Sequence, residues 1–186
     1  MKYEIINRQK FLFFQSGFTL IEVLVYIAIV VIIVSVIIIF SASAIQIGIK
    51  IKTNAEIIDN SRRAMETMIY EIERSRSVYV PTSIFDVNPS QLSLEQTTST
   101  PAGETATFVD FFKCGQALCL KREGMGPVSL TTNQMKLTNL TFSQLLNPNS
   151  PPSVQIKLKI ESASVSSLPA YTGWLESTST ANLRGY

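Results

Sequence analysis

Glu22 is the residue whose type and position most strongly suggest chemistry in this chain. It ends the run Gly17-Phe18-Thr19-Leu20-Ile21-Glu22, and the eighteen residues from Val23 to Phe40 carry no charge. A carboxylate within an apolar segment costs about 2.5 to 3.5 kcal/mol at the centre of a membrane helix, and less near the interface. Glu22 therefore needs a partner, unless it simply extends to the lipid headgroups.

Catalytic and metal-binding chemistry has little support elsewhere in the sequence. There is no histidine, the commonest general base and metal ligand. The two cysteines cannot form a four-ligand zinc site, and no nucleophile elbow, Walker loop or H-E-x-x-H pattern occurs. The acids of the C-terminal half lie singly among polar residues: Asp86, Glu95, Glu104, Asp110, Glu123, Glu161 and Glu176. We interpret them as solvated surface groups and expect no enzyme activity, metal or cofactor.

The element that positions Glu22 is the apolar segment that follows it. Eighteen residues of α-helix span about 27 Å, close to the hydrocarbon thickness of one bilayer. The segment therefore predicts a single membrane-spanning helix.

Gly17, Phe18, Glu22 and the long apolar helix follow a short cationic leader, and this order resembles the type IV prepilins and the pseudopilins of type II secretion and related filament systems. In that family a membrane-embedded peptidase cuts after the glycine and methylates the new amino terminus. The resemblance implies cleavage between Gly17 and Phe18 by a prepilin peptidase/N-methyltransferase. It also implies that Glu22 neutralises the terminal amine of a neighbouring subunit during filament assembly.

Other processing routes compete with this interpretation. Ala42-Ser43-Ala44 matches a signal-peptidase site after the apolar segment. A signal-peptide core usually has only about 7 to 15 apolar residues, whereas this one is longer and helix-compatible residues continue beyond it. An uncleaved signal anchor is the third route.

The leader carries Lys2, Arg8 and Lys10 against Glu4, which favours a cytoplasmic amino terminus. Lys50 and Lys52 weaken that bias, so the family motif decides the orientation. The whole chain has a net charge of +2, and removal of the leader leaves zero. Without a basic excess, direct nucleic-acid binding is not expected.

Beyond the apolar segment the pattern becomes amphipathic, which predicts that the helix continues to about Val78. The apolar stripe consists of Ile51, Ala55, Ile58, Met65, Ile69 and Ile72. We expect its distal part, with Met68, to pack under the protein's own sheet; a subunit-facing stripe is the alternative. Arg62 lies on the stripe and must extend to solvent or pair with an acid. Pro81 closes the helix.

The residues after Pro81 predict strands separated by turns. The strands are expected near 91–95, 105–113, 117–122, 135–143, 153–161 and 173–180. Val154, Ile156, Leu158 and Ile160 alternate with polar residues, which indicates a half-buried strand. One long helix followed by strands predicts an α+β fold in which the helix packs on a C-terminal antiparallel sheet.

Cys114 and Cys119 lie on either side of a predicted hairpin turn. A disulfide is allowed in an oxidising exterior, but two-residue and four-residue turns give different registers, and only the longer one sets the cysteines directly opposite each other. Two free thiols are the alternative.

The predicted domain organisation is a leader at 1–17, a transmembrane helix at 18–44, its amphipathic continuation at 45–80 and an exported head at 81–186. The resemblance implies a filament subunit precursor, of the minor pilin or pseudopilin kind. Residues 62–72 also loosely resemble the J-type pseudopilins. The absence of a proline within the membrane helix slightly disfavours a major pilin.

The implied partners are the peptidase, other pilin or pseudopilin subunits, an inner-membrane assembly platform and the lipid bilayer. The implied location is the cytoplasmic membrane, with an exported head, and then a cell-surface or periplasmic filament. The first alternative is a bitopic membrane protein whose β-rich head binds an external ligand. A secreted hydrolase is the second, with an acid pair that the sequence does not reveal.

Overall fold

A computed structural model of the protein describes residues 17–98, 100, 102–146, 148, 151–164 and 168–184. The predicted leader, apart from Gly17, lies outside these residues. The chain forms two compact units, Met1–Ala44 and Ile45–Tyr186, which are described separately below.

One long helix, α1, runs from Leu20 to Arg74. The predicted end at Val78 is wrong by one turn. The last turn tightens at Ser75, whose N–H donates to the Ile72 carbonyl at 3.1 Å and whose hydroxyl donates to the Glu71 carbonyl at 2.6 Å. Arg76 N–H then donates to the Glu95 carbonyl at 2.8 Å, so the next residues pair as a strand. Pro81 lies in a short 3-10 helix, Val80–Thr82.

Eight strands follow, in two antiparallel sheets. The five-stranded sheet has the order β1-β2-β3-β4-β5, and the three-stranded sheet has the order β6-β7-β8. The strands are β1 (Ser77–Val78), β2 (Leu92–Gln96), β3 (Thr107–Cys114), β4 (Ala117–Arg122), β5 (Val128–Ser129), β6 (Met135–Leu145), β7 (Ser153–Ser162) and β8 (Trp174–Asn182).

The α+β class and all six predicted strands are confirmed. Two features differ from the prediction: the strands form two sheets, and β1 and β5 lack a sequence signal because each has two residues. The alternation in β7 is confirmed, since Val154, Ile156, Leu158 and Ile160 are all fully buried.

The distal part of α1 shares one hydrophobic core with both sheets. Met68 and Ile72 are fully buried, Met65 nearly so, and Ile69 is partly buried against the same core. The prediction that these residues pack under the protein's own sheets is therefore confirmed.

The earlier part of the stripe lies outside this core. Ile51 is 64% exposed and Ile58 is 55% exposed, whereas the neighbouring Ile57 is buried. The buried face instead includes two polar residues. Asn60 accepts the Thr132 backbone N–H at 3.1 Å, and the hydroxyls of Ser61 and Ser177 lie 2.9 Å apart. These bonds satisfy polar groups that burial would otherwise penalise.

A buried carboxylate also joins α1 to the five-stranded sheet. Glu71 is 2% exposed; it forms an ion pair with Arg122 of β4 and accepts a hydrogen bond from the Gln96 amide of β2 at 2.8 Å. Glu71 carries no local signal in the sequence, because it stands among the other charges of the helix.

Candidate functional site

The Gly17–Phe18 peptide bond lies just before the helix. Gly17, Phe18 and Thr19 have no regular secondary structure, and α1 begins at Leu20. Thr19 caps the helix, since its carbonyl and hydroxyl both accept the Glu22 backbone N–H, at 3.1 and 3.4 Å. Thr19 and Glu22 thus have the spacing of a capping box. The predicted scissile bond is therefore outside the hydrogen-bonded helix.

The described part of the chain does not require glycine at position 17. A Cβ built on Gly17 would meet no atom within 4 Å, and its backbone does not adopt a left-handed conformation. The described residues therefore place no steric constraint on a side chain at position 17.

The Glu22 carboxylate lies in the first turn of α1, where a negative charge interacts favourably with the helix dipole. Among the residues that the structure describes, no side chain forms a hydrogen bond or ion pair with this carboxylate. The described part of the chain therefore leaves this carboxylate unpaired.

The apolar part of α1 is long and apolar enough to cross a membrane, and the span is exposed along its length. Two serine hydroxyls, one within the apolar segment and one just after it, are satisfied within the helix. Ser35 donates to the Val31 carbonyl at 2.7 Å, and Ser43 donates to the Ile39 carbonyl at 3.0 Å. These hydroxyls therefore do not oppose burial in lipid or against other helices.

A second apolar surface lies on the solvent side of α1, within the unit Ile45–Tyr186. Ile47, Ile51 and Ile58 are separated by four and seven residues and are 60%, 64% and 55% exposed. This spacing places them on one face of the helix, and we call the three residues the outer stripe.

The outer stripe is bordered by paired charges. Arg62 forms an ion pair with Glu66 at 2.7 Å, and Arg63 pairs with Asp59 at 3.0 Å. The hydrogen bond from Arg62 to Glu66, together with the Glu66 charge, raises the pKa of the Arg62 guanidinium. The expectation that Arg62 must extend to solvent or pair with an acid is met in both respects.

Cys114 and Cys119 are joined as a disulfide across the β3–β4 hairpin, with their Cα atoms 5.8 Å apart. The turn contains two residues, and its Gly115 has φ +63°. Cys114 pairs with Ala117, while Cys119 pairs with Phe112. The bridge is therefore diagonal, an arrangement that the sequence analysis did not consider. The oxidised state in the cell stays a prediction.

No group of histidine, cysteine or acidic side chains within the described residues is arranged to hold a metal ion. None of the seven acids that were expected to be solvated is buried, whereas Glu71 is buried and paired.

Comparison with protein families adds a decisive observation. A family model described as the prokaryotic N-terminal methylation motif matches residues 13–38. This chain carries a prepilin-type N-terminal methylation motif. The motif supports a type IV pilin or pseudopilin precursor that prepilin peptidase processes. It indicates a structural subunit rather than an enzyme.

The matched segment includes Gly17, Phe18 and Glu22 and most of the apolar helix. It ends before residues 62–72, so the loose J-type resemblance gains no support from it. Comparisons with curated proteins and with solved structures find no match. The roles of individual site residues are therefore argued below from the chain itself.

Proposed function

We propose that this protein is the precursor of a minor pilin or pseudopilin that is cut between Gly17 and Phe18 and then assembled into a filament through α1. The observation that carries the proposal is the methylation motif at residues 13–38, whose predicted scissile bond lies directly before the helix. The unwound junction at Gly17 leaves the peptide bond free of helical hydrogen bonds, as a peptidase requires.

The proposed topology has a cytoplasmic leader and an exported head. The leader carries a net charge of +2, which favours retention on the cytoplasmic side. The partners at this stage are the peptidase/N-methyltransferase, the bilayer around the apolar segment, and an inner-membrane assembly platform that extracts the subunit.

In the assembled filament, Glu22 would pair with the terminal amine of a neighbouring subunit. Its carboxylate has no partner among the described residues, and an unpaired charge among packed apolar helices is strongly unfavourable. This requirement would set the register of each incoming subunit.

The outer stripe would add a contact outside the membrane. Ile51 and Ile58 follow Lys50 in the sequence, beyond the apolar span, yet both are exposed. Water is a poor environment for aligned isoleucines, and the mixed charges beside them suit another helix with both signs of charge. We therefore assign this face to a neighbouring subunit.

Mass spectrometry of the mature amino terminus tests the proposal. The chain is expressed with active peptidase and, as a control, with a catalytically inactive one. The expected product begins at a methylated Phe18 only with the active enzyme, and Gly17→Asp should retain the leader. A product beginning at Met1 or Ile45 in the presence of active peptidase would contradict the proposal.

The alternative, a bitopic protein with a ligand-binding head, predicts an uncut amino terminus. The same experiment therefore distinguishes the two functions.

A further inference from the structure

We infer that the head carries a saccharide-binding site beside Trp174, at the end of the three-stranded sheet. The site is a cavity of about 530 Å³ lined by Lys50, Asn54, Glu161, Ser162, Thr172, Gly173 and Trp174. All of these residues belong to the unit Ile45–Tyr186. The inference does not rest on processing or filament assembly.

Trp174 provides an aromatic surface at the edge of the cavity. It is the single tryptophan of the chain and is 65% exposed. The Lys159 ammonium lies 5.1 Å from its ring centroid, a cation–π contact that restrains the indole. A single exposed aromatic residue is ordinary and does not by itself indicate a binding site, so the groups around Trp174 decide its significance.

Those groups are mostly polar, which is unusual for a site that binds an apolar ligand. Five of the seven lining residues have polar side chains. Within the described part of the chain, neither the Asn54 amide nor the Trp174 indole N–H forms a hydrogen bond. Both therefore remain available to a ligand.

The charges around the cavity nearly cancel. The two lysines, Lys50 and Lys159, balance the two acids, because Lys159 pairs with Glu161 at 3.1 Å and lies opposite Glu176 in the sheet. The Lys50 ammonium is itself directed to two carbonyls, of Pro169 at 2.9 Å and Thr172 at 2.5 Å. This balance favours a neutral ligand over a phosphate or a carboxylate.

The floor of the cavity is fixed by close packing at Gly173. A Cβ at this position would lie 2.8 Å from Ile57 Cδ1 and 3.0 Å from Asn54 Oδ1. Glycine at this position lets the residue before β8 lie against the Ile57 and Asn54 side chains, which places Asn54 close to Trp174. The cavity is thus supported by the core and is open without rearrangement of the backbone.

A neutral saccharide matches these features. The apolar face of a sugar ring stacks on an indole, and its hydroxyls both donate and accept hydrogen bonds. The Asn54 amide and the Glu161 carboxylate supply the complementary donor and acceptors. The volume lies within the usual range of small-ligand sites, about 300 to 1,000 Å³.

Because Trp174 is the single tryptophan, its fluorescence reports on the site directly. The full chain is purified in lauryldimethylamine oxide, a detergent that contains no sugar. It is titrated with chitotriose, cellotriose and maltotriose to about 10 mM, which exceeds the dissociation constant of about 1 mM that is typical of weak sites. We expect a saturable change in fluorescence with at least one trisaccharide. Asn54→Ala should weaken it at least tenfold, and Thr180→Ala, on the same face of β8, should leave it unchanged.

Saturation-transfer NMR provides a second measurement that does not require the fluorophore, and Trp174→Ala should abolish the signal while circular dichroism remains unchanged. The inference is overturned if no trisaccharide binds, if inorganic phosphate binds in their place, or if Asn54→Ala and Thr180→Ala behave alike.

Discussion

The two faces of α1 allow stability and assembly to be tested separately. Met68 is fully buried in the core, whereas Ile58, ten residues earlier, is 55% exposed on the outer stripe. Substitution of each by alanine removes side chains of similar size from the same helix. Both substitutions raise helix propensity, by amounts that differ by only a few tenths of a kcal/mol, so the two variants differ mainly in burial.

The expected magnitudes differ several-fold. Replacement of a fully buried methionine by alanine costs about 2 to 5 kcal/mol, because the transfer free energy is lost and a cavity remains. For a unit of this size, about 3 °C per kcal/mol gives a fall in Tm of roughly 6 to 15 °C. Ile58→Ala should change the free energy of unfolding by at most about 0.5 kcal/mol, as expected of a surface site.

The first assay is thermal unfolding of the soluble fragment 45–186, followed by circular dichroism. The second is co-purification of the full-length chain with other filament subunits after cross-linking. We expect Met68→Ala to lower Tm strongly, and Ile58→Ala to lower recovery of cross-linked subunits without a change in Tm. If both variants destabilise the fragment equally, the helix is packed in another orientation. If Ile58→Ala leaves cross-linking unchanged, the outer stripe is not a subunit contact.

Three further predictions concern individual side chains. Glu22→Gln should still be inserted and cut, because removal of a charge makes membrane insertion more favourable, but it should enter filaments poorly, because the pairing with a neighbouring amine is lost. Immunoblots of membranes and sheared filaments test this, and incorporation equal to that of the unchanged protein would refute the pairing role. Glu71→Ala should lower the free energy of unfolding by about 1 to 3 kcal/mol, because the Arg122 and Gln96 partners lose their acceptor; urea titration with Glu71→Gln as the milder control tests this. Reductant should lower the free energy of unfolding of the fragment by at most about 2 kcal/mol, because the short loop closed by Cys114 and Cys119 is opened. The fragment with Cys114→Ala and Cys119→Ala should not respond to reductant, and an equal response of the two fragments would exclude the disulfide.

The sequence predicted those parts of the fold that depend on regular patterns. The apolar span, the alternation of β7 and the turn-bounded strands all follow from period and composition. The face of α1 was harder to predict, because the isoleucines at 51 and 58 outrank Asn60 and Ser61 in hydrophobicity. Tertiary hydrogen bonds, which the sequence does not reveal, place those two polar residues inside.

The candidate site, like the fold, was only partly predictable from the sequence. The processing junction was predicted from the ordered motif around Gly17, which the family match covers. The roles of Phe18 and Glu22 stay predictions. The buried Glu71 and the cavity beside Trp174 depend on contacts between distant segments, and neither carries a local signal. Glycine at 173 is informative only once Ile57 and Asn54 are seen to lie against it.

The contact between Ser61 and Ser177 has a consequence for the order of folding. It joins residues 116 positions apart, and β8 is the last strand in the described part of the chain. Sheet pairing is otherwise between consecutive strands, so each sheet can form locally and quickly. The Ser61 hydroxyl, however, gains its Ser177 partner only when β8 has joined its sheet. A chain that has not yet added β8 leaves this buried hydroxyl without its Ser177 partner, and the cost of the unpaired group opposes docking of the helix before the three-stranded sheet is complete.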